Sequence, residues 1–429
     1  MSGAAPRIAA ARVLDAVLHK GRSLRAALST ELPKLADVRD RALVEAIVMA
    51  ALRDHARCAE ALSQWMTRPP GPRDGILRAL LYAGFVQIAM GLPAHAAVDA
   101  TVEAARGIGR GHQSGLVNAL LRRASREGLP EGRADGAWPR WLAARIRADW
   151  PQDADAVFAA SAMQPPLWLR VNARRGSRDA YAEKLAEAGI AFEIPEALPD
   201  AIRLEAAVPV DALPGFHDGD VSVQDGSAQR VADALALAPG ARILDACAAP
   251  GGKAAHLAER HADARILALD VDARRVRRME EAFARLGHRI DTRAADAATP
   301  DAWWDGEPFD AIVIDAPCSA TGIVRRQPDI LLHRRESDIA ALQATQAGLL
   351  DALWPLLRPG GQLLYATCSI LAAENAGQVE AFLSRTPDAR LEPLDARFGR
   401  DTGHGHQRLP GDSGMDGFFH ARLEKTAAA

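Results

Sequence analysis

The 429-residue sequence is poor in the residues that staple or metallate a fold. It has four cysteines, Cys58, Cys247, Cys318 and Cys368, and no Cys-x-x-Cys pair. A disulfide framework is not expected in a chain of this length. A cysteine-based zinc site lacks its ligand spacing, so no metal is expected. No apolar run approaches the roughly 20 residues that span a bilayer, and Met1 to Arg12 lacks the apolar core of a signal segment. A cytoplasmic protein without a membrane partner is therefore expected. Nor is there an excess of basic charge. Lys and Arg number 52 against 55 Asp and Glu, for a formal net charge of -3, so any RNA contact must come from local basic patches. With 48% hydrophobic and 25% charged residues, disorder is excluded, and the length calls for two or three domains.

The first 130 residues contain helical periodicity and no strand alternation. From Arg7 to Gly21, Ile8, Ala11, Leu14 and Leu18 share a face, with Gly21 placed to cap the helix. Leu43, Ile47 and Leu52 repeat the spacing, as do Ile76, Leu80 and Phe85, and Ser114 to Arg126 is a further helix with a basic edge. An all-α bundle over 1–130 follows. Gly128 to Trp138 reads as a linker. A small α+β module over 139–237 has an alternating strand at Trp168 to Asn172 and a helix from Tyr181 to Ala188. From 238 to 425 short apolar strands (Ile243–Ala246, Ile266–Leu269, Ala311–Ile314, Leu363–Ala366) alternate with helical stretches at Ala273–Leu286 and Asp338–Leu357. That rhythm describes an α/β, Rossmann-like domain built on a mostly parallel sheet. Lys425 to Ala429 read as a disordered tail.

After its first strand this domain places Cys247, Ala248, Ala249, Pro250, Gly251, Gly252 and Lys253 ahead of a helix. A Gly-rich turn there lets a ligand approach the backbone. It is not a P-loop, because Cys247 stands where the first glycine belongs and Ala254 where Ser or Thr belongs. The dinucleotide pattern GxGxxG is also missing. A ligand with a ribose and an amino-acid tail remains. Asp270 ends the second strand about twenty residues later, where an acidic side chain grips ribose hydroxyls. Asp296 and Asp315 follow the third and fourth strands. Any one Asp is ordinarily a cap or turn residue, but these positions converge on the ligand edge of one sheet.

Cys318 and Cys368 each lie just beyond an apolar strand, flanked by small polar residues. A lone cysteine is ordinarily a small buried hydrophobe, which suits Cys58. A reactive thiolate needs a cationic or dipolar neighbour, and Lys253 or a helix N-terminus can serve. These features do not rank the two cysteines.

The segments Asp245–Lys253, Asp315–Gly322 (DAPCSATG), Arg325–Asp329 (RRQPD) and Tyr365–Ser369 (YATCS) resemble those of the RNA 5-methylcytosine methyltransferases, specifically the ribosomal RNA small-subunit methyltransferase B (Sun/Fmu) family. Val223–Gln229 and Asp416–Phe419 also look like family signatures, with Gly226 in place of the expected Ala. Leu116–Arg123 resembles part of a NusB-like RNA-binding domain. The resemblance implies S-adenosylmethionine as cofactor and small-subunit (16S) ribosomal RNA as partner. It implies that Cys247–Lys253 wrap the methionine part, Asp270 binds ribose, Asp296 the adenine, and Asp315 sits between cofactor and base. Cys368 would be the nucleophile and Cys318 would assist release. A monomer is expected.

Arg325, Arg326, Arg334 and Arg335 cluster after the Cys318 segment, with Arg170 and Arg174 in the middle module. Such runs are ordinarily solvated faces; here they are expected to position an RNA backbone. Two other readings stand beside this one. A transfer-RNA cytosine methyltransferase would use the same machinery. A non-catalytic RNA-binding factor should have lost a cysteine or the Gly-Gly-Lys turn, and both are intact.

Overall fold

The computed structural model describes residues 3–427. By contacts the chain forms two compact units, Met1–Gln164 with Val324–Arg334, and Pro165–Ile323 with Arg335–Ala429.

The first unit is helical. Its central helix, Gly75–Ala89, is apolar on nearly all sides and has Leu77, Leu80, Leu81, Phe85 and Val86 buried, as a helix surrounded by others must. Around it pack Ala4–Lys20, Val38–Arg53, Ala94–Gly107 and Ser114–Glu127. Gly21 ends the first of these in the left-handed conformation (φ 66°), as its capping position predicts. Cys58 is buried in the apolar core of this bundle. Helices Arg140–Asp149 and Ala154–Ala162 also group with this unit.

Val324–Arg334 belongs to the same unit although it interrupts the α/β sequence. Arg53 Nε donates to the Arg325 carbonyl (2.8 Å) and the Leu24 N–H to Asp329 Oδ2 (2.9 Å), while Leu331 is buried. Arg325 itself is only 3% exposed. It therefore cannot line an RNA path as the sequence suggested, whereas Arg335 is exposed and Arg326 and Arg334 are half-buried.

The second unit contains two sheets. In the smaller, Leu167–Val171 lies between Ala201–Leu204 and Val221–Val223, all antiparallel, and Arg178–Glu187 is the module's helix. In the larger, the parallel strands run Asp291–Ala294, Arg265–Asp270, Arg242–Asp245, Phe309–Asp315, Leu357–Thr367, and antiparallel Phe418–Lys425 follows. Apolar cores on both faces explain why its strands are unbroken apolar runs. Chain order reverses between Arg242–Asp245 and Phe309–Asp315. At such a switch point the loops beyond the carboxyl ends part and leave a crevice.

Two boundaries differ from expectation. The helix expected over 338–357 spans Glu336–Leu353, and Pro355 falls in a short turn before a strand running Leu357–Thr367; proline cannot continue the helix. Lys425 ends the last strand instead of opening a tail, its ammonium donating to the carbonyls of Trp354 (3.1 Å) and Leu357 (2.9 Å). The rest of that expected tail falls partly outside the described residues, at 428–429.

Candidate active site

The crevice is a cleft of about 390 Å³ whose walls include Cys247, Ala249, Asp270, Asp296, Asp315 and Cys318, with Cys368 at its edge. The strand-end acids, the start of the loop after the first strand and both cysteines are thus brought together, and Lys253 reaches the cleft through its pair with Asp315. A larger hollow, about 790 Å³, lies on the helical unit between His55, Arg57, Glu60, Arg78, Glu131 and Arg133. It has mixed charge and no cysteine, whereas the smaller cleft holds three.

The loop after strand Arg242–Asp245 turns at Gly251, which has φ 97° and starts helix Gly252–Arg260. A Cβ there would fall 2.7 Å from Met279 and 2.9 Å from Phe283, so both conformation and space require glycine. Ala248 and Ala249 are nearly buried. Cys247 faces the cleft half-buried, and burial first, then Asp315, Asp245 and Asp270, push its thiol up. It is a poor nucleophile in consequence.

Asp270 is 4% exposed; Oδ1 accepts the Asp272 N–H (3.0 Å) and Oδ2 lies 3.3 Å from Arg275. Arg275 also donates to the Ala249 carbonyl (2.8 Å), bracing that acid against the loop. Sequence reasoning missed Arg275; its place one helical turn into the helix after Asp270 was the only signal. Asp296 is exposed on the cleft and accepts the Ala298 N–H (2.9 Å), so it also does the work of an ordinary turn residue.

Lys253 Nζ lies 2.5 Å from Asp315 Oδ2 and 5.4 Å from the centre of the Phe418 ring. Burial works against the ammonium, but the Asp315 pair outweighs it and holds the Lys253 pKa above its ordinary value. Asp245, fully buried beside this pair, was quoted within the motif without a role. Burial above all, and the Asp315 charge, raise its carboxyl to about 7 against the pull of Lys253.

Cys318 Sγ and Cys368 Sγ are 3.5 Å apart. The bond to Cys368, then burial, then the charges of Cys368 and Glu374 hold the Cys318 thiol well above its ordinary range. Lys253, by contrast, is coupled electrostatically to Cys368. Cys368 thus has Lys253 on one side and Cys318, with Glu374 near it, on the other.

The auxiliary segments prove to be ties beneath this site. Ser227 Oγ donates to the Asp416 carbonyl (2.8 Å) and the Asp416 N–H to Asp225 Oδ1 (3.1 Å). A Cβ at Gly226 would meet the flexible side chains of Leu198 (2.9 Å) and Met415 (3.1 Å). Arg170, expected to meet RNA, is instead fully buried. It forms a two-pronged pair with Glu259 (2.8 Å each) and donates to the Gly252 carbonyl (2.7 Å). Its strand faces helix Gly252–Arg260, so the guanidinium holds the turn that opens that helix. Arg174 remains exposed.

The family model described as 16S rRNA methyltransferase RsmB/F matches residues 232–424. An RsmF/B-like ferredoxin-like domain model matches 138–211, and the NusB family model matches 4–126. A ribosomal RNA small subunit methyltransferase B from Xanthomonas campestris pv. campestris is 58% identical over 99% of this chain and 98% of its own. Its counterpart from Pseudomonas putida is 46% identical over 99% of both chains. The crystal structure of PH0851 matches with a TM-score of 0.80 and 23% identity over 98% of this chain and 99% of that one, a likeness of fold. Among the described residues no helix is long and apolar enough to cross a membrane. The chain belongs to the ribosomal RNA small subunit methyltransferase B family, with a NusB-like helical region, a ferredoxin-like α+β module and a Rossmann-like methyltransferase domain.

Proposed function

We propose that the chain methylates carbon 5 of a cytosine in small-subunit ribosomal RNA, using S-adenosylmethionine and a covalent Cys368 adduct. The observation that carries this reading is the pair of thiols 3.5 Å apart at a cleft that also holds the Lys253–Asp315 pair. The cleft suits the cofactor, since a buried carboxylate at Asp270 can take a ribose diol and the acids at its rim favour a cationic ligand. Cys247–Lys253 would hold the methionine part, Asp270 the ribose and Asp296 the adenine. When bound, the cofactor supplies the methyl group as an electrophile on a sulfonium.

Carbon 5 of cytosine is a weak nucleophile. Addition of the Cys368 thiolate to carbon 6 gives an enamine-like ring whose carbon 5 can attack the methyl. Asp315 meets the N3/N4 edge of the base and stabilises charge developing there, and Lys253 holds that carboxylate in place. After transfer the carbon 6–sulfur bond breaks and the ring double bond returns as the carbon-5 proton is lost to solvent; the Cys318 thiol gives its proton to the departing Cys368 sulfur and is reprotonated from solvent. The target base must be unstacked to reach the cleft, which favours an unpaired segment.

The test is methylation in vitro with labelled cofactor on naked small-subunit RNA, assembled small subunits and transfer RNA, followed by mapping. Label at carbon 5 of one small-subunit cytosine is expected. Label confined to transfer RNA, or at another atom, would contradict the reading.

A further inference from the structure

One buried carboxylate joins the two cysteine loops. Glu374, fully buried six residues beyond Cys368, accepts through Oε1 the Ser319 N–H (2.8 Å) and Gln346 Nε2 (3.1 Å). Through Oε2 it accepts both the Ser319 hydroxyl and the Ser369 hydroxyl (2.6 Å). Ser319 and Ser369 are the residues that follow Cys318 and Cys368, and their hydroxyls lie 3.0 Å apart. Asn375 completes the tie, accepting from the Thr367 hydroxyl (2.6 Å) and donating to the Ser369 carbonyl (2.9 Å).

Resting on the methyltransferase reading above, we propose that Glu374 is a positioning residue that holds the two cysteine loops in register and places a carboxylate on the Cys318 side of the pair. Two loops from different strands have no covalent reason to keep a 3.5 Å spacing. A carboxylate with four acceptor sites and four donors, two from each side of its fork, supplies one. Charge enters through the same geometry. The groups facing Cys318 are Cys368, Glu374 and Tyr365; Cys368 has Lys253 on its other side. A carboxylate behind Cys318 discourages a thiolate there.

Glutamine tests the charge separately from the tie. Its Oε1 can keep the Ser319 N–H and Gln346, while the two serine hydroxyls rotate to accept from its amide. Alanine removes both. The full-length wild type, Glu374→Gln and Glu374→Ala would be treated with iodoacetamide between pH 6 and 9, and labelling of each cysteine followed by mass spectrometry. Wild type should label Cys368 at least tenfold faster than Cys318. In Glu374→Gln that preference should shrink to threefold or less and RNA methylation should fall at least tenfold. Its affinity for S-adenosylmethionine should stay within twofold and its melting should stay cooperative. Wild-type preference and turnover in Glu374→Gln would overturn the proposal. If that variant fails to melt cooperatively, Glu374→Asp replaces it. Retained preference with slower turnover then supports the proposal, and lost preference overturns it. A wild-type chain that left cytosine carbon 5 unmodified would defeat the reaction reading alone, because the labelling comparison needs no RNA.

Discussion

Asp245 lies buried beside the Lys253–Asp315 pair, and the charges of both act on its carboxyl. Asp245 titrates near 7 in the folded chain, against an ordinary value near 4 when unfolded. Over that interval the folded state holds the extra proton, so rising pH draws stability away, and above about 7 the cost is fully present. Asp245→Asn should escape this. Its stability relative to wild type should rise from about pH 4 to about 7, by at most about 1.4 kcal/mol per pH unit, and level off above. Urea unfolding across pH measures it, and a constant difference would contradict the assignment. Asp270→Ala should weaken S-adenosylmethionine binding by roughly 1.5–3 kcal/mol, about tenfold to a hundredfold, with the fold intact. Calorimetric titration showing unchanged affinity would remove Asp270 from the site. The places of Asp270 and Asp315 at strand ends on one cleft were legible because strand ends are legible. Asp245 and Glu374 were not, since only tertiary burial makes their charges costly.

Between elements, the site depends on ties that join segments far apart in sequence. Removing the Arg170 side chain leaves the buried Glu259 carboxylate with His288 Nε2, 3.2 Å away, in place of a two-pronged guanidinium. Arg170→Ala should destabilise the chain by about 3–5 kcal/mol, and a melting shift of under a degree would contradict that. Gly322 marks a second tie, its N–H donating to the Cys368 carbonyl (2.8 Å) and its carbonyl accepting from Gly417 (2.9 Å). A Cβ there would fall 2.8 Å from the Cys368 carbonyl and closer still to that of Gly417. Gly322→Ala should therefore slow methyl transfer more than it weakens cofactor binding, because it pushes on the Cys368 loop and not on the cofactor turn. Loss of cofactor affinity with normal turnover would argue the reverse. Helices and strands were readable from their periods of 3.6 and 2. Arg170 was misread because an arginine in an alternating strand looks the same whether its face meets solvent or another helix.

At the scale of the whole molecule, the order of helical bundle, small module and Rossmann-like domain was readable from composition and periodicity. That Val324–Arg334 groups with the helical unit was not, because no local pattern reports a partner 300 residues away. The basic edge expected on Ser114–Glu127 is present: Arg122 and Arg126 are exposed, and Arg123 pairs with Glu127 (2.8 Å). Charge reversal at Arg122 and Arg126 should weaken RNA binding and flatten its salt dependence while leaving cofactor affinity unchanged. Equal RNA affinity in filter binding at low salt would give this face another role.

The covalent route is tested most directly by trapping the protein–RNA complex. Cys368→Ala and Cys318→Ala would be incubated with labelled RNA and S-adenosylmethionine and run on a denaturing gel. Loss of the slow band in Cys368→Ala, and its accumulation in Cys318→Ala, is the predicted result. A band that survives in Cys368→Ala and vanishes in Cys318→Ala would reverse the two cysteines and contradict the account.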